Sequence, residues 1–189
     1  MELRDKKGLT EAEYLAGYDS DKYPKPSVTA DIVVIAEDGA KRRVLLIRRG
    51  NHPFLGQWAL PGGFAEPGET VERSAARELE EETCLTGVPM ALTCIASRPG
   101  RDPRGWTISA VFSAHVNAAD LKPRAADDAA EAGWFEIERR SDAIALTCGD
   151  YALTVPLNPD GAVNWRDNRG PNRLAFDHGE VLAKAIAEE

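Results

Sequence analysis

The chain has 189 residues, 43% of them hydrophobic and 29% charged, which suits one domain built around one sizeable core. A formal net charge of -8 and a pI near 5.0 argue against general phosphate attraction, which needs clustered Lys and Arg, so no nucleic-acid partner is expected. Three widely spaced cysteines without a CxxC pair set aside structural zinc and redox motifs and read as reduced core thiols; with no apolar leader and no uninterrupted apolar run of about 18 residues, a soluble cytoplasmic protein without a membrane partner is expected.

Residues 1–27 are polar and close in KYPKPS, whose two prolines favour an extended lead-in over a helix. A single domain is expected over 28–189. SVTADIVVIA is rich in β-branched residues; Val28, Ala30, Ile32, Val34 and Ala36 line one strand face, and Thr29, Asp31, Val33 and Ile35 the other. After the turn EDGAK, RRVLLIRRG reads as its hairpin partner. NHPFLGQWALPGGFAEPGE is loop, dense in Gly and Pro, with a short strand at WAL. From Thr70 to Thr83 the period becomes helical: Val71, Ala75, Ala76, Leu79 and Thr83 share a stripe, and Thr70 suits the N-cap. ALTCIASRPG and TISAVFSAHV read as two strands joined through RDPRG, and AGWFEI as another. Two β-like runs, AIALT and YALTVPL, separated by CGD, suggest a hairpin insertion within 141–172. LAFDHGEVLAKAIA is amphipathic, and Asp177 followed by Glu180 has the spacing of a capping box for a closing helix.

The helical segment poses the functional question, because RELEEET places four glutamates within Glu78–Glu82. Like charges one turn apart destabilise a helix by a few tenths of a kcal/mol per pair, roughly. Positions i, i+3 and i+4 share a face, so Glu78, Glu81 and Glu82 project together, while Glu80 is turned roughly 200° away. Such a face is either merely solvated or a seat for a hard divalent cation, which takes carboxylate oxygens together with substrate phosphates.

The surroundings favour the cation. Gly63, Glu69, Arg77, Glu78, Leu79, Glu81, Glu82 and Leu85 fall in register with the Nudix box, Gly-x5-Glu-x7-Arg-Glu-aliphatic-x-Glu-Glu-x-Gly-aliphatic; Cys84 replaces the last Gly. The chain thus resembles the Nudix hydrolases. That resemblance implies an α/β class fold, an α/β/α sandwich around a central mixed β-sheet, and Mg²⁺-dependent (or Mn²⁺-dependent) hydrolysis of a nucleoside diphosphate linked to another moiety. It also implies that Glu81 and Glu82 bind metal, that Glu78 binds metal or orients the attacking water, that the Gly62 carbonyl completes a site, and that Arg77 with Glu69 holds loop to helix. A non-Gly residue at Cys84, where the helix end favours a left-handed backbone, implies strain of about 1 kcal/mol.

YPKPSVTADIVV, NHPFLGQWALPGGF, GRDPRGWTISAVF and LAFDH resemble the ADP-ribose pyrophosphatase branch and the related regulators of NAD metabolism; the likeness covers about 23–182, except the insertion. By that resemblance Arg101 and Arg104 become candidates for phosphate or ribose contacts, to which guanidinium forks are suited; a well-structured turn is the other explanation. Arg48 and Arg49 could grip phosphate from a strand end. Asp128 is the favoured extra base, with Asp127 and Glu131 as neighbours, since many Nudix enzymes carry a carboxylate just before the equivalent of Trp134–Phe135. His52 and His178 read as hydrogen-bonding loop or cap residues, and Phe54, Trp58 and Trp106 as packing under the site. Hydrolysis of ADP-ribose leads, and the resemblance implies a homodimer of the kind common among relatives. A MutT-type triphosphate hydrolase is second, and a sensing regulator with a DNA-binding module third.

Overall fold

Local capping opens the chain. Thr10 Oγ1 accepts from Glu13 N at 3.2 Å and the Glu13 carboxylate accepts from Thr10 N at 2.8 Å, a capping box that starts helix α1 (Glu11–Ala16), none of whose residues is buried. The lead-in, expected to be extended, therefore holds a short helix. Pro24 and Pro26 restrict only the stretch that follows it.

The computed structural model describes residues 2–39, 41–117, 129–164 and 170–187. Among them the strands are β1 (Ser27–Asp38), β2 (Lys41–Arg49), β3 (Trp58–Ala59), β4 (Gly62–Phe64), β5 (Ala91–Ala96), β6 (Thr107–Asn117), β7 (Ala129–Arg139), β8 (Ala143–Cys148) and β9 (Tyr151–Pro156), with helices α2 (Val71–Thr83) and α3 (His178–Ala187). They form one sheet in the order β5-β6-β1-β2-β7-β8-β9, with β3 on β2 and β4 on β1. β1 and β6 run parallel, all other pairs antiparallel, so the sheet is mixed.

Strand alternation divides the core into two layers. Ala30, Ile32 and Val34 of β1, with Leu45 and Phe112, pack against Ala75 and Leu79 of α2. Val33 and Ile35, with Val44 and Leu46, face Val181, Leu182, Ala185 and Ile186 of α3. A helix on each face of a mixed sheet is the α/β/α sandwich. The hairpin β8–β9 pairs onto β7, and Ile144, Leu146, Leu153 and Val155 join the α3-side core; it extends the central sheet.

The three thiols are free. Cys94 and Cys148 are half-buried, but Cys84 is exposed, contrary to the reading of all three as core residues. No helix among the described residues is long and apolar enough to cross a membrane. Thr70 caps α2, accepting from Arg73 N at 3.4 Å. At its far end Cys84 adopts φ 59°, ψ 19° and donates its N–H to Glu80 O at 2.8 Å. The left-handed exit is kept, with a Cβ where glycine fits better. Cys84→Gly is expected to raise the denaturant midpoint, a gain of up to about 1 kcal/mol, with an unchanged m-value. An unchanged midpoint would show that the backbone carries no such strain.

Candidate active site

Arg77 organises the site. Its Nε lies 3.3 Å from both carboxylate oxygens of Glu69, Nη2 reaches the Phe64 carbonyl at 3.0 Å, and Nη1 reaches Glu78 at 2.7 Å and Glu81 at 3.0 Å. Glu69 also accepts from Ser74 Oγ at 2.9 Å, and the Arg77 bond holds its carboxyl below the usual range. The loop before α2 is thereby tied to the helix. Two glycines let it come close: a Cβ on Gly63 would run into the Glu78 carboxylate, and one on Gly62, at φ 150°, into the Ala30 carbonyl.

The glutamates divide two and one. Glu78 and Glu82 line a cavity of about 290 Å³ together with Gly62 and Gly63, and Glu82, 9% exposed, accepts from Gly62 N at 2.9 Å. Glu81 keeps 44% of its side chain exposed on Arg77. Glu80 is exposed, as the helical wheel requires. Among the described residues no three acidic, histidine or cysteine side chains close around a common point; like charges separate, and Arg77 takes two of them.

The candidate arginines separate by strand parity. Arg49 lines the glutamate cavity, donates to the Pro53 carbonyl at 2.7 Å and stacks 4.9 Å from the Phe176 ring. Its neighbour Arg48 turns to the opposite side, toward the Gly56 carbonyl (3.0 Å), the Tyr151 hydroxyl (3.3 Å) and Glu131 (3.7 Å). Arg104 lines the cavity, forked on Asp102 (2.7 and 3.0 Å) and stacked between Phe64 (4.6 Å) and Phe176 (5.4 Å). Burial pushes the Asp102 carboxyl up, but the Arg104 fork brings it below its usual range. Asp128, with Asp127, lies outside the described residues. Trp58 is core, packed edge-on to Phe135 and Tyr151, Phe54 packs on Phe176 at 4.7 Å, and Trp106 is 56% exposed.

Arg101 stands apart from the other arginines. Its guanidinium is buried, with Nε and Nη2 on the two oxygens of Asp177 at 2.9 and 2.8 Å and Nη2 on Asp31 at 3.3 Å. A guanidinium so committed has little left for a substrate. Asp177 thus spends both carboxylate oxygens on Arg101, and Glu180 pairs with Arg98 at 3.3 Å and Lys184 at 3.6 Å; helix α3 starts where expected, without the anticipated capping box. His178 accepts from Leu60 N at Nδ1 (2.9 Å) and faces Asp31 with Nε2 at 3.8 Å. The set joins β1, the loop before β6, the start of α3 and the residue before Pro61–Gly62. Sequence reasoning missed it because the contacts that hold it together link positions 70 or more apart; Asp31, an acid inside a β-branched strand, was the available signal.

The NUDIX domain model matches residues 25–146. The chain belongs to the NUDIX family. It is 45% identical over 115 residues to the ADP-ribose pyrophosphatase of Methanocaldococcus jannaschii, covering 61% of this chain and 64% of that one. Against the ADPR responsive transcriptional repressor NtrR of Acinetobacter baylyi the identity is 34% over 110 residues, covering 57% and 44%. Less than two-thirds of either relative is thus spanned. The NUDIX domain of Shewanella oneidensis NrtR, crystallised with ADP ribose, superimposes with a TM-score of 0.70 at 27% identity over 95% of this chain and 99% of that one.

The Nudix helix is suited to a cation by its own electrostatics. Burial first, and then the Glu78 charge, raises the Glu82 carboxyl to about 8; Gly62 N–H and Arg49 only partly oppose this. Burial also raises Glu78, against the pull of Arg77. Two desolvated carboxylates on one cavity form a hard oxygen donor set with an under-compensated charge. With a folded value of about 8 against an ordinary 4.5, Glu82 keeps its proton in the folded state while the unfolded chain loses it, so its contribution to metal-free stability falls as pH rises between those values. In EDTA the melting temperature of wild type is expected to fall relative to Glu82→Gln as pH goes from 5 to 8.5, and added Mg²⁺ should stabilise wild type more at pH 8.5 than at pH 6. Parallel curves for the two proteins would refute the raised carboxyl.

Proposed function

We propose that the protein hydrolyses the diphosphate bond of ADP-ribose to AMP and ribose 5-phosphate, using Mg²⁺ or Mn²⁺. The observation that carries this is the pair of carboxylates, half-buried Glu78 and buried Glu82, lining the same cavity as Arg49 and Arg104. The likeness to an ADP-ribose pyrophosphatase and to an ADP-ribose-bound domain supports the choice of substrate.

Glu78 and Glu82 would hold the cation, with the Gly62 carbonyl beside them and Glu81 joining on release from Arg77. When bound, the cation neutralises diphosphate charge and acidifies a water. Arg49 and Arg104 would donate to phosphate oxygens, Arg104 while its Nε and Nη2 stay on Asp102, and their stacking on Phe176 limits the orientations to be lost on binding. Arg77 sets the angle of Glu78, and Glu82 is oriented by the Gly62 N–H. The loop and helix thereby position the reacting groups before substrate arrives.

A second reading is favoured by the repressor relative: a domain that binds ADP-ribose without turning it over. A MutT-type triphosphate hydrolase is third. A chromatographic screen for the products released from ADP-ribose, NADH, diadenosine polyphosphates and nucleoside triphosphates separates the three. ADP-ribose is expected to lead, and Glu82→Gln to lower its turnover by roughly a hundredfold or more, given that even outer-shell metal partners are worth 10–100-fold, while the far-UV spectrum is kept. Preference for a triphosphate, or ADP-ribose binding with no release, would overturn the assignment.

A further inference from the structure

Beside the glutamate cavity lies a smaller hollow of about 60 Å³, walled by Thr29 and Asp31 of β1, the Gly62–Gly63 turn, Arg104 and His178. Its polar groups have unused capacity. The Thr29 hydroxyl is buried and has no hydrogen-bond partner among the described residues. Asp31 Oδ2 takes Ser109 Oγ at 2.5 Å and Arg101 at 3.3 Å, whereas among the described residues Oδ1 faces His178 Nε2 at 3.8 Å, beyond hydrogen-bond reach. Because His178 Nδ1 accepts from Leu60 N, the ring proton sits on Nε2. Burial lowers the imidazole's pKa, against the pull of Asp31 and Asp177.

Charge narrows what can fit. Asp31 and Asp102 on this hollow disfavour a further phosphate, and Arg49, Arg101 and Arg104 disfavour a metal ion. A neutral group that both donates and accepts satisfies all of them, and the space holds only a few water-sized groups, the edge of a sugar but not a base. The hollow shares Arg49, Gly62, Gly63, Phe64 and Arg104 with the glutamate cavity. A sugar esterified to the diphosphate can therefore enter it while the phosphates stay beside the glutamates.

We propose that this hollow is a sugar-hydroxyl subsite, in which Thr29 and Asp31 bind a ribose hydroxyl of the substrate and select ribosyl over deoxyribosyl diphosphates. It rests on the diphosphate reading above. Thr29→Val keeps the shape and removes the hydroxyl; Thr29→Ser restores it. Calorimetric titration with Mg²⁺ and the non-hydrolysable α,β-methylene analogue of ADP-ribose reads binding without turnover, and should show affinity about five- to tenfold weaker for Thr29→Val and near wild type for Thr29→Ser, the range of one net hydrogen bond. In parallel, kcat/KM is compared for ADP-ribose and for analogues deoxygenated in the adenosine ribose or in the distal ribose. Wild type should discriminate against one analogue by a similar factor, expressed in KM, and Thr29→Val should bring that ratio close to one; the responding arm identifies the ribose. Wild-type affinity in Thr29→Val, unchanged ratios in both arms, or no binding of the analogue to wild type each overturns the subsite. Thr29-dependent binding without ADP-ribose hydrolysis would retain the subsite and discard the hydrolytic reading.

Discussion

One guanidinium makes the acidic helix tolerable. Arg77 offers its planar set of N–H donors to Glu69, Glu78, Glu81 and the Phe64 carbonyl, so two of the helix's repelling carboxylates and one from the loop share a single cation. Those partners, Glu69 first, raise its own pKa and keep it charged. A lysine could not replace it, since a compact ammonium lacks the spread fork that reaches loop and helix together. The loop 62–69 rests on that hold, and with it the approach of Gly63 over Glu78.

The second constraint is the position of β1 between the two faces of the sheet. Its even-numbered residues face α2 and its odd-numbered core residues face α3, so Asp31 belongs to the α3 side. Gly62 pairs with Asp31 in the strand register and donates its N–H to Glu82 of α2. The site thus spans the sheet at a residue without a side chain. A Cβ there would meet the backbone of Ala30 and Asp31, and Gly62 lines both cavities.

What was legible in the sequence is what depends on near neighbours. The helix from Val71 to Thr83, its Thr70 cap, the outward Glu80 and the left-handed Cys84 all follow from spacings of one to fourteen residues; the period-2 and period-3.6 patterns placed most strands and both long helices, while β4 (Gly62–Phe64) fell in a stretch read as loop and the layering came from the family resemblance. Even local reasoning left one signal unused, the Thr10–Glu13 capping box hidden in a polar lead-in. Contacts between distant segments were not legible. Arg48 and Arg49 are equivalent in composition, and only the pairing of β2 with β7 and the bulge between them shows which one faces the glutamates. Arg101 and Arg104 sit in the same turn, yet Asp177, 76 positions away, withdraws the first and leaves the second at the cavity.

Buried acids then fall into two kinds, told apart by who compensates them. Asp31 is 5% exposed and Glu82 9% exposed, so ionising either one carries a desolvation cost. Asp31 has been given an internal cation, since Arg101 is forked into the same cluster, and Ser109 adds a donor. Glu82 has a single backbone N–H and the more remote Arg49, while Glu78 and Asp31 add to its repulsion. Evening out the two would have been chemically simple, with one more basic side chain on the loop. The imbalance instead leaves Glu82 as a carboxyl that gives up its proton readily only to an arriving cation, on a cavity also lined by Arg49 and Arg104, and that combination suits a cation and a diphosphate together where either alone would meet like charge.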